Sequence, residues 1–138
     1  MSANAPLRVG QTLIGPLSNE EEIAMRKNGR RKHREIDPAV LADIVRRIVA
    51  VAHPDKIILF GSAARGQMGP NSDLDFLVIK SGRFNRGRLS EQIYMGMEGA
   101  DEAVDIIIVT PEEVEKFGDS PWLVIAPALK EGRVVYAA

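Results

Sequence analysis

The sequence predicts an α/β fold, in which a small mixed β-sheet carries helices packed mainly on one face. Short apolar runs typical of buried strands lie at residues 56–60, 73–79 and 104–109. A longer pattern with apolar residues at helical spacing, between residues 40 and 49, precedes the first of these runs. With 138 residues, 45% of them hydrophobic, the chain can form one hydrophobic core, and we expect one domain over residues 37–138.

The elements of this domain follow from local signals. Asp37 is a natural N-cap, and Pro38 suits the first turn of the amphipathic helix. Pro54 cannot continue a helix and ends it. The further predicted elements are a strand at 56–60, a short helix at 63–66, a strand at 73–79, a helix from 89 to 97, a strand at 104–109, a helix capped at Thr110, a helix from Ser120 to Gly132, and a strand at 133–136.

Residues 1–36 are predicted to form an N-terminal arm. Ser18 and Glu21 have the spacing of a capping box, which indicates a short helix that ends before Gly29. The run 26–34 holds six basic residues and no acidic one. We interpret this run as a solvated arm, with binding of nucleic acid or of an acidic partner as the alternative.

Composition narrows the chemistry that the chain can perform. The net charge of −1 gives no global attraction to nucleic acid or to a membrane surface. The absence of cysteine excludes a thiolate zinc site, and the presence of only two histidines favours oxygen ligands for any metal. The sequence shows neither a secretory signal nor an apolar run of membrane-spanning length, so we expect a cytoplasmic protein without a membrane partner.

A glycine motif and three aspartates point to phosphate and metal chemistry. Gly61-Ser62 ends a buried strand, where a turn can direct backbone amides at an anion. Asp73 and Asp75 alternate with apolar residues in the next strand and therefore share one face, about 6.5 to 7 Å apart along the chain. Asp105 lies near the start of a third apolar strand, where a buried carboxylate needs a cation or hydrogen-bond donors. Three carboxylates beside a phosphate-binding turn indicate nucleotidyl transfer.

The order of these motifs resembles that of a known family. Gly61-Ser62-Ala63-Ala64-Arg65-Gly66, then Ser72-Asp73-Leu74-Asp75, then Val104-Asp105 is similar to the signature of the minimal nucleotidyltransferase (MNT) domains in the DNA polymerase β-like superfamily. The resemblance covers roughly residues 38–136 and includes the MNT antitoxins that act beside HEPN toxins. It implies the polymerase β-like nucleotidyltransferase fold.

The resemblance also implies a role for each motif residue. Asp73 and Asp75 would bridge two Mg²⁺ ions, for which Mn²⁺ can substitute. Asp105 would bind the ion beside the nucleophile and take the proton of the acceptor hydroxyl. Gly61 and Ser62 would hold the β- and γ-phosphates of the nucleotide.

Basic residues near these motifs are open to two interpretations. Arg65 matches the family pattern as a further nucleotide-binding residue, and an ion pair with a nearby acid is the alternative. The loop 80–88 carries four basic residues that either clamp a triphosphate or are merely solvated. Tyr94 and Trp122 lie on helical stripes, and we predict that both belong to the core.

The reaction implied by the resemblance is transfer of AMP from ATP to a hydroxyl group. In the antitoxin type the acceptor is a tyrosine of the HEPN partner. This chain contains no Arg-x-x-x-x-His motif of the HEPN kind, so we expect such a partner to be a separate polypeptide.

Other functions stay open on the sequence alone. A small-molecule nucleotidyltransferase would need a homo-oligomer to supply the wall that a second domain gives its larger relatives. A binding antitoxin would occlude its partner without catalysis. A nucleic-acid-binding module would have to use the basic run, and the net charge and the aspartates disfavour it.

Overall fold

The computed structural model describes residues 34–117 and 125–138. The elements are α1 (Pro38–Ala52), β1 (Lys56–Phe60), a 3₁₀ turn (Gly61–Ala63), β2 (Leu74–Ile79), α2 (Arg86–Met95), β3 (Val104–Val109), α3 (Pro111–Phe117), α4 (Ile125–Glu131) and β4 (Arg133–Ala137). The predictions for residues 1–33, for Trp122 and for a helix start at Ser120 lie outside the described residues.

The four strands form one mixed sheet in the order β3-β2-β1-β4. β1 pairs antiparallel with both β2 and β4, whereas β2 and β3 run parallel. A parallel pair needs a crossover connection, and α2 provides it between β2 and β3. The predicted α/β fold with a small mixed sheet is confirmed.

Helix α1 forms where the sequence predicted it, because its ends carry strong local signals. The Asp37 carboxylate accepts a hydrogen bond from the Ala39 backbone N–H at 2.9 Å, as an N-cap does. At the other end His53 adopts the left-handed conformation, with φ of 47°, and its N–H bonds to the Val49 carbonyl.

Among the described residues, no helix is both long enough and apolar enough to cross a membrane.

Apolar side chains cover both faces of the sheet. The two longest described helices, α1 and α2, pack on one face through residues such as Ile48 and Ile93, which are fully buried against Phe76 and Ile106. The two seven-residue helices α3 and α4 pack on the other face, where Ile125 belongs to one buried cluster with strand residues such as Leu77 and Ile79. Full burial of one such side chain stabilises the fold by roughly 1.5–3 kcal/mol. The strands are therefore apolar on both faces.

Two local elements differ from the prediction. The segment after β1 is a 3₁₀ turn over Gly61–Ala63 instead of a helix over residues 63–66. Helix α2 begins at Arg86 and not at residue 89, because the Asn85 side chain caps it by accepting the Arg88 backbone N–H at 2.9 Å. Part of the predicted loop is therefore the first turn of α2.

The predicted cap at Thr110 is confirmed. The Thr110 hydroxyl accepts the Glu113 backbone N–H at 3.1 Å, and the Glu113 carboxylate accepts the Thr110 N–H at 3.0 Å. This reciprocal pair is a capping box that starts α3.

Candidate functional site

The centre of the candidate site is a pair of carboxylates on neighbouring strands. Asp75 in β2 lies directly opposite Asp105 in β3, and Phe60 at the end of β1 lies opposite Asp75 on its other side. Adjacent strands lie about 4.8 Å apart, so the two carboxylates start from neighbouring Cα positions. Asp75 and Asp105 each alternate along their strands with residues that pack against α1 and α2. Their side chains therefore project from the other face of the sheet, which α3 and α4 cover further along the strands. The pairing of β2 with β3 thus brings together two aspartates that are far apart in sequence.

Negative charge converges on Asp75. Burial of this half-buried side chain raises the pKa of its carboxyl above the ordinary value, and the Asp105 and Asp73 carboxylates raise it further. Only the Arg65 guanidinium acts in the opposite direction among the causes of the shift. Asp73 itself is exposed and directly precedes β2. A cation placed among these groups would relieve their mutual repulsion.

The donor set suits a hard divalent cation. Within residues 34–117 and 125–138, no three His, Cys, Asp or Glu side chains are grouped so as to hold a metal ion by themselves. Mg²⁺ commonly binds through one or two carboxylates together with substrate phosphates and water, and does not need a cage made only of protein ligands. The facing Asp75 and Asp105 with Asp73 nearby fit that mode of binding, in which the nucleotide completes the ligand set.

Gly61 holds the predicted phosphate-binding turn against this carboxylate pair. Its φ is +75°, a conformation that other residues adopt only at a cost. A Cβ added at this position would lie 2.3 Å from the Asp75 Oδ2 atom. Only glycine therefore lets the backbone of the turn approach the carboxylate so closely. The structure brings the predicted residues Gly61 and Asp75 into direct contact.

Ser62 follows in the 3₁₀ turn and is half-buried. Its backbone carbonyl accepts hydrogen bonds from the N–H groups of Arg65 at 3.2 Å and Gln67 at 2.9 Å. The Gly61 carbonyl accepts the Ala64 N–H at 3.1 Å. These bonds fix the turn, so that the amides of Gly61 and Ser62 stand at its start, beside Asp75.

Arg65 makes the ion pair that was the alternative to nucleotide binding. Its Nη1 atom lies 3.5 Å from Glu131 Oε1, and its Nε donates to the Gln67 side chain at 3.3 Å. Both ends of the ion pair are largely exposed, so the pair contributes little to stability. The positive charge of Arg65 opposes the rise in the Asp75 pKa that burial and the neighbouring carboxylates cause.

The loop and helix start at residues 80–88 are engaged in structural contacts. Arg86 forms a two-bond ion pair with Glu113, at 3.0 Å in each bond, and donates to the Ile108 carbonyl at 3.1 Å. Lys80 lies over the Phe84 ring, 5.8 Å from its centroid. Arg86 and Lys80 therefore make structural contacts, which differ from both interpretations of the sequence, a triphosphate clamp and simple solvation.

Tyr94 is a site residue that the sequence analysis missed. It was predicted to belong to the core, but its side chain is 41% exposed, so that prediction is wrong. Its hydroxyl accepts the Ile106 backbone N–H at 2.8 Å and donates to Asp105 Oδ1 at 3.4 Å. The signal that could have found it is its offset from the buried stripe of α2, because it directly follows Ile93.

Solved structures with the same fold are known. A MntA-HpeT toxin-antitoxin structure is 14% identical, with a TM-score of 0.51 and coverage of 75% of each chain. A toxin-antitoxin structure with AMP-PNP is 17% identical, with a TM-score of 0.51, and the match covers 70% of this chain and 73% of that one. A candidate nucleotidyltransferase from Sulfolobus solfataricus is 20% identical, with a TM-score of 0.49 and coverage of 72% and 78%. No curated protein sequence matches the chain.

Residues 39–135 match the nucleotidyltransferase domain family. The matched segment runs from the first turn of α1 into β4, and it contains the Gly61 turn, Asp75 and Asp105. The matched segment also agrees with the range of roughly residues 38–136 over which the sequence resembles the DNA polymerase β-like nucleotidyltransferases. The chain therefore belongs to the nucleotidyltransferase domain family.

Proposed function

We propose that this chain transfers AMP from ATP to a tyrosine hydroxyl of a separate toxin protein of the HEPN type, with Mg²⁺ as cofactor, and thereby acts as an antitoxin. Membership of the nucleotidyltransferase family supports the reaction class. The likeness to a MntA-HpeT toxin-antitoxin structure and to a toxin-antitoxin structure with AMP-PNP motivates the partner and the nucleotide. The single observation that carries the proposal is the close approach of the Gly61 turn to Asp75, which itself faces Asp105.

In this proposal the residues divide the work along the row from β1 to β3. The amides of Gly61 and Ser62, with the Ser62 hydroxyl, bind the β- and γ-phosphates at the β1 end. Asp73, Asp75 and Asp105 would hold the Mg²⁺ ions that accompany the nucleotide. Asp105, at the β3 end, orients the acceptor hydroxyl and takes its proton. Bound Mg²⁺ would neutralise charge on the attacking oxygen and on the leaving pyrophosphate.

Arg65 has a subsidiary place in this scheme. Its ion pair with Glu131 is long and exposed, and such a pair exchanges readily for a stronger one with phosphate. We infer that Arg65 leaves Glu131 and contacts the triphosphate when the nucleotide binds. A guanidinium is well suited to this role, because its planar set of donors matches phosphate oxygens.

A protein acceptor suits the position of Asp105. Within the described part of the chain β3 lies at one edge of the sheet, and Asp105 is exposed there. A macromolecule can therefore present a hydroxyl to this edge, whereas a small acceptor would need walls that enclose it.

The test is transfer of label from α-labelled ATP in the presence of Mg²⁺ and a HEPN-type protein encoded beside this chain. We expect label on a tyrosine of that protein with the wild-type chain, and none with Asp75→Asn. The matched control is Asp101→Asn, which removes the same charge from an exposed aspartate in the turn before β3 and should retain transfer. Label on a small molecule or on RNA, with the protein untouched, would refute the antitoxin role alone.

A second measurement separates binding from chemistry. ATP with Mg²⁺ should raise the melting temperature of the wild type, and a ligand at about 100 times its Kd stabilises by about 2.7 kcal/mol. Asp73→Asn combined with Asp75→Asn should abolish the effect of Mg²⁺ beyond that of ATP alone. If the double variant and the wild type respond identically, the assignment of these aspartates to metal binding is wrong.

A further inference from the structure

The chain itself carries a tyrosine hydroxyl beside the candidate site, that of Tyr94. Tyr94 reaches from α2 around the outer edge of β3, and its Oη atom lies 3.4 Å from Asp105 Oδ1 and 2.8 Å from the Ile106 nitrogen. The side chain is 41% exposed, so the hydroxyl is not sealed inside the core. A phenol thus stands beside the carboxylate that the proposed function assigns to the acceptor.

The position of this hydroxyl follows the order that a transfer reaction requires. Across the sheet the groups run from the Gly61 turn to Asp75, then to Asp105, and then to Tyr94. Because of this order, the proposed phosphate site and the Tyr94 hydroxyl lie on opposite sides of the carboxylates. Neighbouring strands are separated by about 4.8 Å. In an in-line displacement the leaving pyrophosphate and the attacking oxygen also lie on opposite sides of the reacting phosphorus. Tyr94 therefore stands where an acceptor belongs.

The hydrogen bonds of Tyr94 leave its oxygen able to react. A hydroxyl has one proton and two lone pairs. The Ile106 N–H uses one lone pair and fixes the oxygen, and the proton points to Asp105. The second lone pair remains for attack, and a carboxylate stands ready to receive the proton.

We propose that Tyr94 is a nucleotidyl acceptor in its own chain, so that the protein modifies itself; this inference rests on the proposed function. The Tyr94 Oη atom attacks the α-phosphorus of a bound nucleoside triphosphate and forms the new O–P bond. The bond from the α-phosphorus to the bridging oxygen breaks, and pyrophosphate leaves with that electron pair. The phenol proton passes to Asp105. The product is a phosphodiester between Tyr94 and the nucleoside monophosphate, and no further reactant is needed.

A purely structural role for Tyr94 predicts a different experimental result. The bond to the Ile106 N–H alone would satisfy a donor on the edge of β3, as Arg86 satisfies the Ile108 carbonyl on the same edge. Such a role requires no transfer of label to the residue. Detection of the modified side chain therefore separates the two roles without reference to stability.

The sequence offers a matched control, because the chain contains only two tyrosines, Tyr94 and Tyr136. The full chain alone is incubated with α-labelled ATP and Mg²⁺, and the intact mass and the labelled peptide are determined. We expect the mass of one added AMP on the peptide that carries Tyr94. Tyr94→Phe should reduce the label to background, Tyr136→Phe should retain it, and Asp75→Asn should abolish it.

Mixing two variants tests whether the reaction occurs within one chain. Asp75→Asn keeps the acceptor but lacks the carboxylate, and Tyr94→Phe keeps the carboxylates but lacks the acceptor. Because Tyr94 lies beside Asp105 of its own chain, the mixture should carry no label on either variant. The rate constant for self-labelling of the wild type should also be independent of chain concentration. Label on Asp75→Asn in the mixture would overturn the inference of transfer within one chain.

Other outcomes bear separately on this inference and on the proposed function. If a partner protein is labelled while the wild-type chain carries no label, self-modification is refuted and the proposed function stands. If neither is labelled, the proposed function fails and this inference fails with it. Label on Tyr136 or on a residue of another type would also overturn the assignment. Peptide mapping of the wild type gives these answers even if Tyr94→Phe folds poorly.

Discussion

Substitution of Gly61 by alanine tests the link between the phosphate-binding turn and the carboxylates. The φ of +75° makes alanine strained at this position, at a cost of roughly 1–2 kcal/mol. For a domain of this size each 1 kcal/mol lowers the melting temperature by about 4–8 °C. The strain alone therefore predicts a folded variant with a moderately lower melting temperature.

The effect on transfer should be larger than the effect on stability. The new Cβ would lie 2.3 Å from Asp75 Oδ2, whereas ordinary contact begins at 3.4 Å. The turn and the carboxylate must separate by about 1 Å, and a displacement of that size can lower a rate about 100-fold. A 100-fold loss corresponds to about 2.7 kcal/mol in the activation free energy. We expect a loss of that order in single-turnover transfer from α-labelled ATP.

Gly99 provides the control that separates strain from contact. Its φ is +81°, close to that of Gly61, and a Cβ added there would meet nothing within 4 Å. Gly99→Ala should therefore lower the melting temperature through the same backbone strain, without the contact with Asp75, and leave the transfer rate within a few-fold of wild type. The reasoning is refuted if Gly61→Ala transfers at the wild-type rate, or if both variants lose transfer equally.

Three further substitutions test the electrostatics and the helix cap. Burial and neighbouring carboxylates raise the pKa of Asp75 above 3.8, so ionisation of Asp75 destabilises the folded state at higher pH. Without metal, Asp75→Asn should therefore be more stable than the wild type at neutral pH. Urea unfolding should show that this difference in stability vanishes below pH 3.8. Since the hydrogen bond from Arg86 lowers the pKa of Glu113 below 4.5, Glu113→Gln should lose up to about 1 kcal/mol at neutral pH, with the difference lost as the pH falls through the folded pKa. Asp37→Ala should lose about 1 kcal/mol in thermal melts, with transfer unchanged.

Elements with strong local chemistry could be predicted from the sequence. The start of α1 depends on Asp37 and Pro38, which act within one turn, and the start of α3 depends on the reciprocal bonds of Thr110 and Glu113. The cap of α2 by Asn85 is equally local, but it lies among basic residues and glycines that also suit a loop. Prediction of an element boundary thus fails where one local signal competes with another.

The candidate site could be predicted only in part, because its geometry depends on pairing between distant segments. Alternation along one strand predicts that Asp73 and Asp75 share one face, but Asp73 directly precedes β2 in the structure. The position of Asp105 opposite Asp75 depends on the parallel register of β2 and β3, and α2 must cross over the sheet to set it. The contact of Tyr94 with Asp105 depends in turn on where α2 packs, which no motif near Tyr94 encodes.

The contacts of Tyr94 and Arg86 with β3 also explain how this strand of the candidate site can lie at the edge of the described sheet. An edge strand exposes backbone groups that can pair with another chain. On the outer edge of β3 the Ile106 N–H is bound by Tyr94, and the Ile108 carbonyl is bound by Arg86, so side chains of α2 occupy both groups. Addition of a strand at this edge would have to break both bonds, whereas Asp105 on the adjoining face remains exposed. An acceptor protein would therefore reach Asp105 by presenting a side chain at the face from which Asp105 projects, and not by extending the sheet.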